Sequence, residues 1–141
     1  MSIQAVLLPL FVEVALTFAL LIWMGRLRSE ALGTGQVQAG DIALRQPNWP
    51  PGALQVGYSF QNQFELPVLF YVLTILAWIT RHADWLFVVM AWIFVLSRIV
   101  QAYIHCTDNR VRLRGAAYGV GAVVLLIMWA IYAVRILLGL S

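Results

Sequence analysis

Four long apolar runs constrain the fold of this chain more than any other feature of its sequence. Each has about the 20 residues that an α-helix needs to cross the hydrocarbon core of a bilayer. Lipid offers no partner to backbone N–H and C=O groups, and the alternating pattern of a barrel strand is absent, so all four runs are predicted to be helices. They lie at about residues 5–24, 58–79, 85–104 and 116–138.

The composition also indicates an all-α integral membrane protein. Hydrophobic residues make up 62% of the chain and charged residues 11%, whereas a soluble domain is about one quarter charged. The 141 residues are expected to form a single domain with one long cytoplasmic loop, residues 25–57, which contains Gly33, Gly35, Gly40 and the run PNWPPG. The first apolar run lacks the basic region and cleavage site of a signal peptide, so we expect it to be retained as a span.

The basic residues, all of them arginines, predict the orientation in the membrane. Short loops rich in basic residues stay in the cytoplasm. Six arginines lie on the side of the first and third loops and two on the other side, so both termini are predicted to be non-cytoplasmic. The six are Arg26, Arg28, Arg45, Arg110, Arg112 and Arg114. They are not laid on a soluble face between aromatic residues, so nucleic acid is not an expected partner. No cysteine or histidine cluster has metal-ligand spacing, so no metal is expected.

The second apolar run begins with a polar stripe. Tyr58, Gln61, Asn62 and Glu65 follow the spacing i, i+3, i+4, i+7 and are predicted to share one helix face. Gln63 is predicted to point elsewhere. The stripe lies near the cytoplasmic end of its span, which is where we expect a site.

The third run carries a second stripe at a similar depth. Arg98, Gln101 and His105 lie on one face, near the cytoplasmic end of that span. A carboxylate and a guanidinium at one level in an apolar slab are expected to pair, so the sequence predicts an ion pair between Glu65 and Arg98. Glu13, in the first run, is a third buried charge that Arg98 or a proton would neutralise.

Two further features concern helix shape. Pro67 has no N–H to give to the carbonyl of Gln63, so a kink is predicted there. Gly115 and Gly119 form a GxxxG motif that allows close approach of another helix or is plain small-residue packing.

These groups would suit a small ligand that carries carboxylates and an ammonium group. Glutathione has both, and arginine would also stabilise its thiolate. The pattern does not separate glutathione from other anions. An alternative is that the amides join helices and that the buried charges are only a structural ion pair.

Several segments resemble the MAPEG superfamily, the membrane-associated proteins in eicosanoid and glutathione metabolism. The segment NQFELP, residues 62–67, is similar to the second-helix signature of that family, and SRIVQAYIHCTDNRVRLRG, residues 97–115, to its third-helix end. FQNQFELPVLFY together with PNWPP resembles the bacterial branch. The resemblance implies a four-helix bundle assembled as a homotrimer in the bacterial inner membrane, with glutathione bound between subunits on the cytoplasmic side.

The resemblance also implies roles for individual residues. Asn62, Glu65 and Arg98 match glutathione-binding positions, and Arg112 matches the arginine that stabilises the thiolate, with Arg110 or Arg114 in its place if the loop register differs. The sequence departs from the pattern where glutathione-using members have an arginine or a tyrosine. The departing positions are Tyr58, for the arginine, and Gln101 or His105, for the tyrosine.

Three functions follow as hypotheses. The first is a glutathione transferase or peroxidase that acts on lipophilic electrophiles arriving from membrane lipid. The second is a small multidrug-type, proton-coupled exporter that uses Glu13, and the third is a non-catalytic membrane scaffold. The arginine-rich entrance argues against the exporter, because it would repel a cationic drug.

Overall fold

The computed structural model describes residues 2–44 and 46–139, and all regular structure in this part of the chain is helical. Four helical segments are long and apolar enough to cross a membrane. The predicted all-α membrane protein with four spans is therefore confirmed. The helices are α1 (Ile3–Gly33), α2 (Ala39–Ile42), α3 (Pro51–Asn62), α4 (Leu66–Ile79), α5 (Trp85–Cys106) and α6 (Val111–Leu137).

The first and last helices extend beyond the predicted spans. At about 1.5 Å per residue, the 31 residues of α1 reach about 46 Å, which exceeds the roughly 30 Å of hydrocarbon. The apolar run ends at residue 24 because polar residues follow it. The helix continues to Gly33, because the arginines, leucines, glutamate and alanine of this segment are good helix formers. The predicted loop 25–57 is thereby reduced to residues 34–50, which include α2. Arg45, one of the arginines that predict orientation, lies outside the described residues.

The second span consists of two helices and not one. Pro67 has no proton for the carbonyl of Gln63, so the predicted kink becomes a full break between α3 and α4. Tight turns replace the helical hydrogen bonds there, since the N–H groups of Gln63 and Phe64 donate to carbonyls three residues earlier at 3.1 and 3.0 Å. Glu65 adopts φ −101° and ψ −104°. The break separates Glu65 from the rest of its predicted stripe.

Helix α5 is the central helix of the bundle, because α6, α1 and α3 all pack against it. Phe94 of α5 meets Phe70 of α4 with ring centres 4.9 Å apart, in the main apolar core. Helices α5 and α6 lie close together at Gly121, where a Cβ would lie 2.6 Å from Oγ of Ser97. A Cβ on either glycine of the GxxxG motif would meet no atom of another element within 4 Å. The close helix contact that the motif predicts is therefore made at Gly121, six residues after Gly115.

A polar cluster fastens the α4–α5 turn to the end of α6. Asp84 accepts a hydrogen bond from the N–H of Phe87 at 3.0 Å, which caps α5, and forms a 2.9 Å ion pair with Arg135. The Tyr132 and Thr80 hydroxyls lie 3.2 Å apart beside it. This cluster lies at the opposite end of α5 from the polar stripes.

Candidate functional site

A cavity of about 380 Å³ lies between the last turn of α3, the end of α5 and the start of α6. Its volume falls within the usual range for small-molecule sites, about 300–1,000 Å³. Polar side chains from all three helices converge on it. The lining residues are Tyr58, Gln61, Asn62, Gln101, His105, Arg114, Gly115 and Tyr118.

The two stripes read from the sequence do meet at this cavity. Three members of the first stripe line it from α3, and Gln101 and His105 line it from α5. Gln63 points away, as predicted: it is buried, and its Nε2 donates to the carbonyl of Ser59 at 2.9 Å. Helical spacing thus placed the correct faces together, whereas the roles of these residues in binding stay predictions.

Arg98 lies beneath the cavity and not on its surface. The side chain is fully buried, and its Nη2 donates to the main-chain carbonyl of Asn62 at 3.3 Å. The same carbonyl accepts the N–H of Glu65 at 3.2 Å. The guanidinium also lies 5.5 Å from the ring centre of Tyr118. Arg98 therefore joins the broken end of α3 to α5 and contacts a side chain of α6.

The predicted ion pair between Glu65 and Arg98 is wrong for this chain. Glu65 is exposed, and neither residue forms a salt bridge within the described ranges. The break after Asn62 removes Glu65 from the face of α3, and its carboxylate forms no salt bridge with Arg98. Arg98 instead supplies the positive charge that acts on Glu13, which is fully buried. Among the carboxylates, Glu13 of α1 is therefore the one with the larger effect on the guanidinium, although the two side chains form no salt bridge.

The three arginines after α5 occupy different positions. Arg114 lines the cavity, and its Nη1 donates to Oδ1 of Asn109 at 2.6 Å. Arg110 is exposed and pairs with Asp108 at 3.6 Å. Arg112, the preferred catalytic candidate, is exposed and does not line the cavity. Helix α6 begins at Val111, so Arg112 and Arg114 belong to its first turn and point in different directions. Of the two, Arg114 lies on the side of α6 that faces α5.

Two lining residues were not predicted from the sequence. Gly115 follows Arg114, and Tyr118 lies one helical turn beyond it on α6. The i, i+4 spacing of Arg114 and Tyr118 was a usable signal. The predicted start of the last span at residue 116 obscured it, because that start left Arg114 in a loop.

Comparison with known proteins agrees with this architecture. The model of the MAPEG family matches residues 6–134, which is nearly the whole chain. No match was found among curated proteins or among solved structures. With four apolar helices and a family match of this length, the chain is a membrane protein that belongs to the MAPEG family.

Proposed function

We propose that this protein binds glutathione in the α3–α5–α6 cavity and transfers it to lipophilic electrophiles, or reduces lipid hydroperoxides with it. The observation that carries the proposal is the convergence of Asn62, Gln101, His105 and Arg114 on one cavity of a MAPEG-family chain. Amide, imidazole and guanidinium groups together can hold the carboxylates and peptide groups of a short anionic peptide.

Arg114 is the residue we assign to the thiol. A guanidinium beside a thiol favours the thiolate, which is the nucleophilic form. The hydrogen bond from Arg114 to Asn109 fixes one side of the guanidinium, and the remaining N–H groups are available to a ligand. In the transferase reaction the thiolate sulfur forms a bond to the electrophilic carbon, and the leaving group departs with the bonding electrons. The protein would chiefly supply proximity and charge stabilisation.

Tyr58 lies where an arginine is expected in glutathione-using members. In this protein its phenol, with Gln61, would donate neutral hydrogen bonds to a glutathione carboxylate. Neutral donors are weaker than an arginine fork, by roughly a factor of two per bond. We therefore expect weaker glutathione binding than an arginine at residue 58 would give.

The cavity is proposed to open to the cytoplasm of a bacterial inner membrane, with both termini on the other side. The charge asymmetry supports this orientation, since Arg26, Arg28, Arg110, Arg112 and Arg114 all belong to one end of the bundle. A homotrimer is proposed as the assembly. In such an assembly exposed groups of this end, such as Glu65 and Arg112, would be available to a neighbouring copy.

Calorimetric titration of glutathione into the detergent-solubilised protein tests the proposal. Arg114→Ala is expected to raise the Kd at least tenfold, because a charge-assisted hydrogen bond contributes about 1.5–3 kcal/mol. Arg112→Ala is the matched control, since it removes an equal charge two residues away, outside the cavity, and is expected to change the Kd less than threefold. Tyr58→Arg is expected to tighten binding.

Three results would reject parts of the proposal. Absence of glutathione binding by the parent protein would remove the transferase and peroxidase function altogether. A larger loss in Arg112→Ala than in Arg114→Ala would return the thiol-stabilising role to Arg112, in an intersubunit site. If both variants bind normally but lose their oligomeric mass in detergent, the scaffold hypothesis would take the place of catalysis.

A further inference from the structure

Buried polar atoms that lack a hydrogen-bond partner are concentrated beneath the α3–α5–α6 cavity. More than half of those in the described part of the chain belong to one residue of α1 and three residues of α5, and all four side chains are exposed by 5% or less. The atoms are both carboxylate oxygens of Glu13, Nε and Nη1 of Arg98, Oε1 of Gln101 and Nδ1 of His105. Such atoms are costly in a membrane interior, so each is expected to have a partner there.

The three residues of α5 form a polar ladder on one face of that helix. Arg98, Gln101 and His105 are three and four residues apart, so the Cβ atoms of neighbouring rungs are about 5–6 Å from one another. One water molecule can join polar groups at such a spacing, because it makes two hydrogen bonds of about 2.8 Å each. The upper rungs, Gln101 and His105, line the cavity. The ladder therefore leads from the cavity to Arg98.

The carboxylate of Glu13 lies at the lower end of the ladder. Glu13 and Arg98 interact electrostatically but form no salt bridge within the described ranges, so their charged atoms are more than 4.0 Å apart. Water between them would satisfy the carboxylate oxygens and the N–H groups together. The other titratable side chains that act on this pair come from neighbouring elements: Tyr71 of α4, Tyr118 of α6 and Glu65 at the α3–α4 break. Of the two carboxylates, Glu13 is buried and Glu65 is exposed.

We propose that internal waters along this ladder connect the cavity with Glu13, and that Glu13 accepts the proton that a ligand in the cavity loses. With glutathione, the S–H bond breaks and its electron pair stays on sulfur, the proton passes along the waters, and an O–H bond forms on the carboxylate. The step with glutathione rests on the proposed function, whereas the water connection does not.

The charges of the site favour this transfer. A negative charge moves from Glu13 to the sulfur beside Arg114, so the net charge of the site is unchanged and no additional charge is buried. Arg98 would repel an excess proton on its way to Glu13. We therefore expect the transfer to begin at Glu13, which takes a proton from its adjacent water. The negative charge that then moves toward the cavity is attracted by both arginines.

The water connection is tested without glutathione, by infrared spectroscopy of the protein in detergent micelles after a rapid drop in pH. The carbonyl band of protonated Glu13 is identified by its loss in Glu13→Gln. The band is expected to appear reversibly within about a second, because side chains and water move faster than that. A carboxylate that is not protonated, or only as slowly as the amide hydrogens of α1 and α5 exchange, would overturn the proposal, since water would then reach it only by local unfolding.

Two α5 variants test the route of the proton. Gln101→Leu removes the middle rung at similar volume and is expected to slow the protonation of Glu13 by about tenfold or more, because the water chain is interrupted. Ser97→Ala is the control. Ser97 is also buried on α5, but it lies against Gly121 of α6 and donates to the carbonyl of Phe94 at 2.6 Å. An unchanged rate in a folded Gln101→Leu protein would overturn the route.

The thiol step is tested by calorimetry of glutathione binding in buffers with different enthalpies of ionisation, which counts the protons released to solvent. Ultraviolet absorbance measures the thiolate. The parent protein is expected to release fewer protons than it forms thiolates, and the carbonyl band of Glu13 is expected to appear on binding. Equal numbers of protons and thiolates in the parent would overturn Glu13 as the acceptor. Absence of glutathione binding would reject the proposed function, whereas the infrared experiment would still decide on the water connection.

Discussion

Glu13 and Arg98 provide a direct test of how this bundle tolerates buried charge. Both side chains are fully buried, on α1 and α5, and both oxygens of Glu13 lack a hydrogen-bond partner among the described residues. Removing one charge leaves the other uncompensated inside the membrane domain. Glu13→Leu and Arg98→Leu are therefore each expected to destabilise the fold, and the double variant is expected to be less destabilised than the sum.

The structure bounds the size of this coupling. The two groups are farther apart than the 4.0 Å of a salt bridge, and unit charges at 4 Å interact by about 4 kcal/mol at an effective dielectric constant of 20. A coupling of about 1–3 kcal/mol is expected. Each single variant is expected to lose about 3 kcal/mol, the scale of an unpaired charge at the centre of a membrane helix. Arg98→Leu additionally breaks the 3.3 Å bond to the carbonyl of Asn62, which contributes about 1.5–3 kcal/mol.

The assay is a double-mutant cycle on the free energy of unfolding, measured by circular dichroism during reversible titration of micelles with a denaturing detergent. The cycle removes the contribution of the Asn62 bond, because that bond is lost in both variants that lack Arg98. Additive effects, with a coupling below about 0.5 kcal/mol, would refute the inference that Arg98 compensates Glu13. A stabilised Glu13→Leu protein would refute it as well.

Two further predictions concern helix contacts. Gly121→Val is expected to destabilise the bundle by about 1–3 kcal/mol in thermal unfolding, because a side chain there overlaps Ser97; Gly119→Val, where space is open, is the control, and equal losses would contradict the prediction. Asp84→Ala is expected to cost about 1–2 kcal/mol and Arg135→Ala less than about 1 kcal/mol, because only the former removes both a helix cap and an ion pair. Equal losses in the same melts would show that the cap contributes nothing.

Local spacing predicted the polar faces well. Tyr58 and Asn62 share one face of α3, and Gln101 and His105 share one face of α5, because residues four apart lie on the same side of a helix. This relation can be read from each segment alone, and in the structure both faces line the same cavity. The sequence correctly predicted that Pro67 disturbs the helix, but it predicted a kink where the structure has a complete break between α3 and α4. A missing N–H weakens a helix locally, whereas the hydrogen bond from Arg98 to the carbonyl at the end of α3 comes from a distant helix.

Partners that come from distant helices were not predictable in the same way. Depth alone paired Glu65 with Arg98 and left Arg98 or a proton as alternatives for Glu13, whereas in the structure Glu13 is the carboxylate with the larger effect on the buried guanidinium. The choice depends on how α1 and α4 are rotated about α5, which follows from packing of the whole core. The same holds for Gly121, whose importance comes from one close contact with Ser97 and not from a motif.

The sequence by itself determined the class of this protein, its four spans and the faces that carry polar groups, because membrane thickness and helical periodicity act on each segment separately. The tertiary structure alone decided that Arg114 reaches the cavity while Arg112 does not. It also decided that Arg98 lies beneath that cavity, with Glu13 of α1 as the buried carboxylate that acts on it. Both outcomes depend on the rotation and length of helices that meet far apart in the sequence, and these are set by packing and not by local propensity.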